Sequence, residues 1–488
     1  MEFETQSGVR YYYDNEIGIA YPSHPLLEKM IRNDSLREKD LSAVPADENF
    51  LFYSRFLQKL KRIRPKKGRP KRHPLLPEEI KEMVLRDGLQ QVTLSITEDC
   101  NLRCRYCVYS DVYTLSRKRS DKMMDFKTAK KALDWYVALY LEGREYNPVR
   151  SPAICFYGGE PLLNFDLIKK CVQYVKTTWP DMDFTFSMTT NGTLLNKEKE
   201  DFLKEHRFNI SISIDGPKED HDRNRVYPDG SGTHTDVMKN VRRMVADGYV
   251  SCRSLCVFDY KCDMSRLDAF FRQPEIPRLS NLTNPSLQNG SLFYNRYSDE
   301  DIRNFYDSEE KAFLSYLENP VLNPDKESCY EHLYSIFSGK LIYQPPIMVT
   351  PENRIIPYSG ACILGKKFFV DAHGNFHACE RVNEFFPLGN VDTGPDFKRM
   401  ADVMNDYIKH LDACTSCSTS KLCGYCYNQF AREGNFQYAS EICKNEVEIK
   451  KVDLSRAFSV GERHPQLIDS VVKEYYSWLS TVSPTLED

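Results

Sequence analysis

Three cysteines on one short loop, Cys100, Cys104 and Cys107 in TEDCNLRCRYC, constrain this chain more than any other feature. They follow an apolar, β-branched run from Val92 to Thr97, which places them on a loop leaving the C-terminal end of a strand. Barrel and α/β folds carry their chemistry at that end. Three thiolates gathered on one loop suit an iron–sulfur cluster, whose irons prefer soft sulfur ligands. A [4Fe–4S] cube has four irons, so three ligands leave one iron open to a substrate or cofactor. Zinc is the competing use of such thiols, but zinc sites favour pairs of C-x2-C with a fourth ligand, and no second pair lies nearby.

From Val92 to about Asn295, apolar β-rich runs alternate with helical periodicity. Strands are expected at Val92–Thr97, Ala153–Tyr157, Phe184–Met188, Phe208–Ile214, Cys252–Phe258 and Ser291–Tyr294, and helices at Thr128–Leu141, Phe165–Thr177 and His234–Ala246. Strands separated in this way by helices predict parallel βα units and an α/β fold.

The C-x3-C-x2-C spacing, with Tyr106 directly before the third cysteine, resembles the signature of the radical S-adenosylmethionine (radical SAM) superfamily. The resemblance implies a partial (β/α)6 TIM barrel. It also implies that the amino and carboxylate groups of S-adenosylmethionine chelate the open iron. One electron from the cluster would then cleave the sulfonium and give a 5′-deoxyadenosyl radical that abstracts hydrogen. Gly158-Gly159-Glu160-Pro161, after the second expected strand, resembles the family's GGEP motif. Consecutive glycines let the backbone approach a ligand closely, and Glu160 is an anionic acceptor suited to an ammonium group, by resemblance the cofactor amine. Thr189-Thr190-Asn191-Gly192 and Ser211–Gly216 match segments that line the cofactor pocket in this superfamily. Within them Asn191 is a pocket residue, and Ser213 resembles the position contacting the ribose or carboxylate. Arg225, in HDRNR, resembles a basic residue near the cofactor carboxylate.

A second array follows. Cys362, Gly374 and Cys379 give C-x11-G-x4-C, and Cys414, Cys417, Cys423, Cys426 and Cys443 complete seven cysteines. The pattern resembles the SPASM domain of radical SAM peptide maturases, with one spacing shortened: Cys423 to Cys426 is C-x2-C where the family has C-x3-C. The resemblance implies two auxiliary [4Fe–4S] clusters, a distal one on Cys414, Cys417, Cys423 and Cys443 and a nearer one on Cys362, Cys379 and Cys426. Seven ligands are one short of closing both. Sulfatase-maturing relatives supply the eighth just before the first array cysteine, and residues 354–361 contain none. Either a distant thiol such as Cys329 fills the place, or the near cluster keeps an open iron for a substrate thiolate. Glu380 follows Cys379, where sulfatase-maturing enzymes carry an aspartate base, so it is the candidate for proton removal. Cys155, Cys171, Cys252, Cys256 and Cys262 lack ligand spacing and are read as small buried apolar residues.

Ahead of the barrel, Val9 to Ile19 reads as a hairpin with Asp14-Asn15 at its turn, followed by short helices at Pro25–Ile31 and Phe50–Leu60. Small winged-helix-like modules in this position bind leader peptides in enzymes that modify ribosomally made peptides. Lys61–Arg72 holds eight Lys/Arg residues and two prolines, the composition of a solvated linker. The expected organisation is therefore a recognition module with its linker at 1–75, a barrel at 76–305, a helical bridge at 306–360, the SPASM domain at 361–450 and a helical tail at 451–488.

A net charge of −4 and the absence of a nucleic-acid recognition motif argue against a nucleic-acid partner. No apolar run approaches a membrane span of roughly 20 residues, and the N-terminus lacks the order of a secretory signal. Sixteen cysteines in a chain with these features indicate metal binding in a reducing, cytoplasmic setting, not disulfides. The expected function is a radical SAM/SPASM peptide maturase of the sactipeptide or ranthipeptide type. It would install thioether crosslinks in a cysteine-containing precursor peptide that carries a leader, with electrons from a flavodoxin- or ferredoxin-type donor. The alternatives are a sulfatase-type formylglycine maturase, a peptide enzyme forming carbon–carbon links or D-residues, and a non-catalytic iron–sulfur sensor or electron carrier.

Overall fold

The run Gln91–Thr97 is apolar and β-branched, and it forms β4, an almost wholly buried central strand. In the computed structural model, which describes residues 1–25, 27, 52–53, 55–59, 74–287, 290–320, 329–334, 364–381, 383–425 and 427–468, an antiparallel sheet of three strands comes first. It comprises β1 (Glu2–Glu4), β2 (Arg10–Asp14) and β3 (Ile19–Pro22). Helix α1 (Pro77–Asp87) leads into β4, and β/α alternation follows: α2 (Phe126–Glu142), β5 (Ala153–Gly158), α3 (Phe165–Thr178), β6 (Thr185–Thr190), α4 (Lys197–Glu205), β7 (Asn209–Ser213), α5 (Lys218–Asn224), α6 (His234–Ala246), β8 (Cys252–Val257), α7 (Met264–Phe271) and β9 (Leu279–Thr283). Strands β4 to β9 pair in sequence order, every pair parallel. All their C-terminal ends therefore lie on one edge, which is what positions the site.

The helices begin where short polar side chains satisfy their free amides. Asp125, Asn196 and Asp263 accept hydrogen bonds from the backbones of Thr128, Lys199 and Arg266. Beneath them Phe156, Phe186 and Phe208 stack across β5, β6 and the start of β7, with ring centroids 5.9 and 5.3 Å apart.

One expected strand is corrected. Ser291–Tyr294 is not the sixth strand; Phe293–Arg296 is a single 3₁₀ turn, and Leu279–Thr283 takes the sheet position. The apolar character of SLFY comes from packing, since Phe293 is fully buried with its ring edge toward Tyr106. As the edge strand, β9 exposes Ser280 and Asn281 and lacks the apolar run that marks a central strand.

Helix α8 (Asp299–Glu318) crosses the boundary expected at 305–306 without a break. The second half then joins the same sheet. β10 (Lys367–Val370) pairs parallel to β4 with Val370 opposite Leu94, and β11 (Phe376–His377) pairs antiparallel to β10. A small hairpin, β12 (Gly389–Asn390) and β13 (Gly394–Pro395), precedes α9 (Phe397–Lys409), whose Asn405 bonds both backbone groups of Leu75. Helix α10 (Ser440–Arg463) likewise runs through the boundary expected at 450–451.

The N-terminal hairpin turns at residues 15–18, with Gly18 at φ 85°. Its sheet is docked on α10: Phe3 and Tyr11 pack on Phe458, and the Gln6 amide donates to Ser459. Residues 25, 27, 52–53 and 55–59 are helical, within the two short helices expected there. The basic run 61–72 lies outside the described residues. Among the described residues no helix is long and apolar enough to cross a membrane.

Candidate cluster and cofactor site

The cysteine loop leaves β4 at Thr97 and is fixed on two sides. On one side it lies against the GGEP turn at the end of β5. The amides of Gly159 and Glu160 donate to the carbonyls of Thr97 and Asp99, at 2.8 and 2.9 Å. A Cβ on Gly158 would sit 2.1 Å from the Thr97 carbonyl oxygen and one on Gly159 2.0 Å from that of Asp99, so only glycine permits this approach. On the other side, Arg103 and Arg105 donate their amides to the carbonyls of Val226 and Asn224.

Glu160 is fully buried, and its carboxylate serves the protein itself. It accepts from the Leu162 amide, the Thr190 hydroxyl and the Asn191 amide at 3.1, 2.7 and 2.7 Å. With these bonds Glu160 ties the ends of β5 and β6 together. Asn191 then reaches the cysteines. Its amide nitrogen lies 2.9 Å from Asn101 Oδ1 and 3.9 Å from Cys100 Sγ. Thr190 pairs with Ile212 across β6 and β7, which sets Asn191 and the buried Ser213 side by side at the sheet edge.

Arg225 and Tyr106 meet on a residue not singled out from sequence, Asp215. This buried carboxylate accepts from Arg225 Nε at 3.0 Å, from the Tyr106 hydroxyl and from the Val257 amide. Burial pushes the Asp215 carboxyl up, opposed by the Arg225 charge, while the same pairing lifts Arg225 well above its ordinary value against its own desolvation. We read the pair as ionised, because Asp215 has three donors and Arg225 one fixed acceptor. Arg225 also lies over the Tyr106 ring and brings a guanidinium nitrogen 4.0 Å from Cys104 Sγ. The loop thus carries a positive group beside its thiols.

Burial pushes Cys100 and Cys104 up to about 12 and raises Cys107. As bare thiols they are neutral, and becoming thiolates requires the positive charge that iron supplies. Among the described residues no three His, Cys, Asp or Glu side chains are grouped as a single metal ion requires. Three thiol donors on one loop are the soft ligands that the irons of a cluster prefer.

In the second array, Cys414 sits on a 3₁₀ turn (Asp412–Ser416) and Cys417 directly after it, Cys423 follows, and Cys443 lies in the first turn of α10. Cys423 feels the charges of Cys414 and Cys417, and Cys443 feels that of Cys417, so these four are neighbours. Asn15 of the N-terminal hairpin bonds the Cys417 carbonyl and the Ser420 hydroxyl at 2.9 and 2.8 Å. Cys362 and Cys426 lie outside the described residues; Cys379 follows β11. Cys329, the thiol considered for an eighth place, is fully buried beside α7 with Asp268 and Cys262.

Glu380 is paired with Lys367 of β10, whose Nζ lies 2.7 and 3.0 Å from its carboxylate oxygens. Burial would raise its pKa, but the Lys367 charge and hydrogen bonds hold it below the usual range. It faces Tyr157 of β5 and Tyr109 of the cysteine loop. Lys367 carried no sequence signal, because only the pairing of β10 with β4 brings it to this sheet.

Residues 94–261 match the Radical SAM superfamily, and the chain carries a radical SAM superfamily domain. It is 31% identical over 157 residues to a cysteine-type anaerobic sulfatase-maturating enzyme of Clostridium novyi, a match covering 32% of this chain and 40% of that enzyme. It is 24% identical over 352 residues to the radical SAM cyclopropyl synthase TigE of Paramaledivibacter caminithermalis, covering 70% of this chain and 67% of the relative. The chain thus spans less than half the length of the first of these two relatives. The solved structure of anSMEcpe with bound AdoMet superposes with a TM-score of 0.57 at 19% identity, covering 79% of this chain and 98% of that one. The same protein with bound AdoMet and Kp18Cys peptide gives 0.56 at 20% identity, covering 78% and 99%. At these identities the likeness establishes the α/β fold with its parallel sheet. Radical SAM enzymes use a [4Fe–4S] cluster and S-adenosylmethionine.

Proposed function

We propose that the chain is a radical SAM peptide maturase that installs thioether crosslinks between a cysteine sulfur and a carbon of an acceptor residue in a ribosomal precursor peptide. Cys100, Cys104 and Cys107 hold the radical-forming cluster, and the GGEP backbone, Asn191, Ser213, Tyr106 and Arg225 form the cofactor pocket at the ends of a partial barrel. S-adenosylmethionine bound there would supply a 5′-deoxyadenosyl radical able to take a hydrogen atom from the acceptor carbon. Cys414, Cys417, Cys423 and Cys443 hold one auxiliary cluster, and Cys362, Cys379 and Cys426 the other. The N-terminal sheet binds the leader, and a flavodoxin- or ferredoxin-type protein brings the electron.

The observation that carries the thioether reading is the position of Cys329. It lies beside Cys262 and Asp268 near α7, and with seven array cysteines for eight places this supports a place for a peptide thiolate. Bond formation removes a hydrogen atom from carbon, and a proton and an electron from the thiol. The hydrogen atom would go to the deoxyadenosyl radical, the proton to Glu380, ionised and next to Cys379, and the electron to the near auxiliary cluster.

The same carboxylate supports a second reading, oxidation of a cysteine or serine to formylglycine, which also releases a proton. Anaerobic co-expression with a cysteine-rich peptide encoded beside the gene, followed by mass spectrometry, separates the two. A thioether keeps the sulfur, removes two hydrogens per link and removes alkylatable thiols. An unchanged thiol count in a modified product overturns the proposal, and loss of sulfur from the product supports the second reading.

A further inference from the structure

One charged side chain beside the proposed reaction centre has no partner. Arg117, ten residues beyond Cys107, is 7% exposed, yet none of its three guanidinium nitrogens has a hydrogen-bond partner, and it enters no ion pair among the described residues. An unpaired buried charge is expensive, so a position like this is maintained for something that binds it. The guanidinium carbon lies over the ring of Phe369 on β10, 4.5 Å from its centroid, and the nitrogens keep their hydrogen-bonding capacity unused. It lines a cleft with Ser95 and Thr97 of β4, Gly159 of the GGEP turn, and Tyr109. The Tyr109 hydroxyl is likewise buried without a partner, a second donor at the same place.

The carboxylates around the cleft are committed elsewhere. Asp371 accepts from His377 at 2.9 Å and from Asn375, and Glu98 accepts from Ser120. Lys118 donates to the Tyr113 carbonyl and pairs with Asp111. A planar guanidinium with a free edge and a phenol beside it matches the two oxygens of a carboxylate. The acidic rim of Glu98 and Asp371 disfavours a doubly charged phosphate, leaving a monoanion as the fitting ligand.

We propose that Arg117, with Tyr109, anchors a carboxylate of the peptide substrate in this cleft, and so selects peptides with an acidic group next to the residue that reacts. The inference rests on the peptide-maturase reading. The carboxylate belongs either to an Asp or Glu side chain or to the peptide's C-terminus.

Three short probes decide: acetyl-Cys-Gly-Asp-amide, acetyl-Cys-Gly-Asn-amide, and acetyl-Cys-Gly-Asn with a free C-terminal carboxylate. Their dissociation constants would be measured by saturation-transfer NMR on the anaerobically reconstituted holoenzyme with S-adenosylmethionine present. The expected result is at least about tenfold tighter binding of an acid-bearing probe than of the fully neutral one, the worth of a charge-assisted hydrogen bond. The probe that gains the advantage identifies the source of the carboxylate. Arg117→Gln should erase the advantage, Arg117→Lys should keep part of it, and neither should change S-adenosylmethionine affinity. Should Arg117→Gln not fold, the wild-type comparison alone decides. Equal binding of all three probes to the wild type overturns the proposal. So does an Arg117→Gln variant that loses S-adenosylmethionine affinity as strongly as acid-probe affinity, since Arg117 would then serve the cofactor's own carboxylate. If none of the probes binds while S-adenosylmethionine does, the peptide-substrate reading itself falls.

Discussion

The two groups of cysteines are held in opposite ways. Cys100, Cys104 and Cys107 stand on a loop held between the ends of parallel strands and the end of α5. Glu160, Asn191, Asp215 and Arg225 cross-link those ends through buried charge-assisted hydrogen bonds. The second group draws its ligands from a 3₁₀ turn, from an irregular stretch and from the start of α10, and its outer support is an asparagine of the N-terminal hairpin. The first site is organised by the sheet. On the proposed reading the second would depend on its metal for much of its shape, because few backbone ladders hold its turns, and metal binding would then become folding energy.

That contrast can be broken at several points. The largest effect is expected from Cys104→Ala, which should abolish reductive cleavage of S-adenosylmethionine and remove one cluster's iron while leaving the melting profile of the sheet close to wild type. A collapse of the fold would show that the first site also needs its metal. Cys417→Ala should do the reverse: cleavage of S-adenosylmethionine persists, peptide crosslinking stops, and amide hydrogen exchange accelerates over residues 412–425 and at the hairpin turn that Asn15 anchors. Unchanged exchange there would mean the turns hold themselves.

Glu160→Ala leaves the Thr190 hydroxyl and the amides of Leu162 and Asn191 unpaired in a buried place, and should cost roughly 3 kcal/mol in denaturant unfolding. Asp371, at the join of β10 and β11, tests the strand pair that the second half adds to the sheet. Burial would raise its carboxyl, but His377 and Asn375 hold it at about 2. Because the folded value lies below the ordinary value of 3.8, this stability is present above pH 4 and lost as pH falls through 2. Asp371→Asn should therefore flatten the acid limb of the unfolding curve, by about 2 kcal/mol. The smallest change is expected from Tyr106→Phe, which removes one donor to Asp215 and should destabilise by about 1 kcal/mol, with cluster absorbance intact.

Much of the barrel half was legible because its signals are local. Apolar runs of strand length flanked by helical periodicity located β4 to β8, and the span of α6 matches its expected range, His234–Ala246. The misplaced sixth strand shows where local reading stops: SLFY is apolar because Phe293 packs under Tyr106, whereas β9 sits at an edge and needs little apolar character. β10 escaped notice because KFFV joins the sheet by pairing with β4, across some 270 residues of chain.

The same division runs through the site. Cysteine spacing and the double glycine are local, since ligand geometry and close backbone approach act over a few residues, and the sequence by itself determined that this chain gathers thiols beside a GGEP turn. Roles set by burial are not local. Only the tertiary structure decided that Glu160 ties two strands together, that Glu380 is neutralised by Lys367, and that Arg117, one basic residue in a run of three, is the buried one without a hydrogen-bond partner. Charge is written in the chain, but whether a charge is solvated, paired or left waiting depends on what the fold brings next to it.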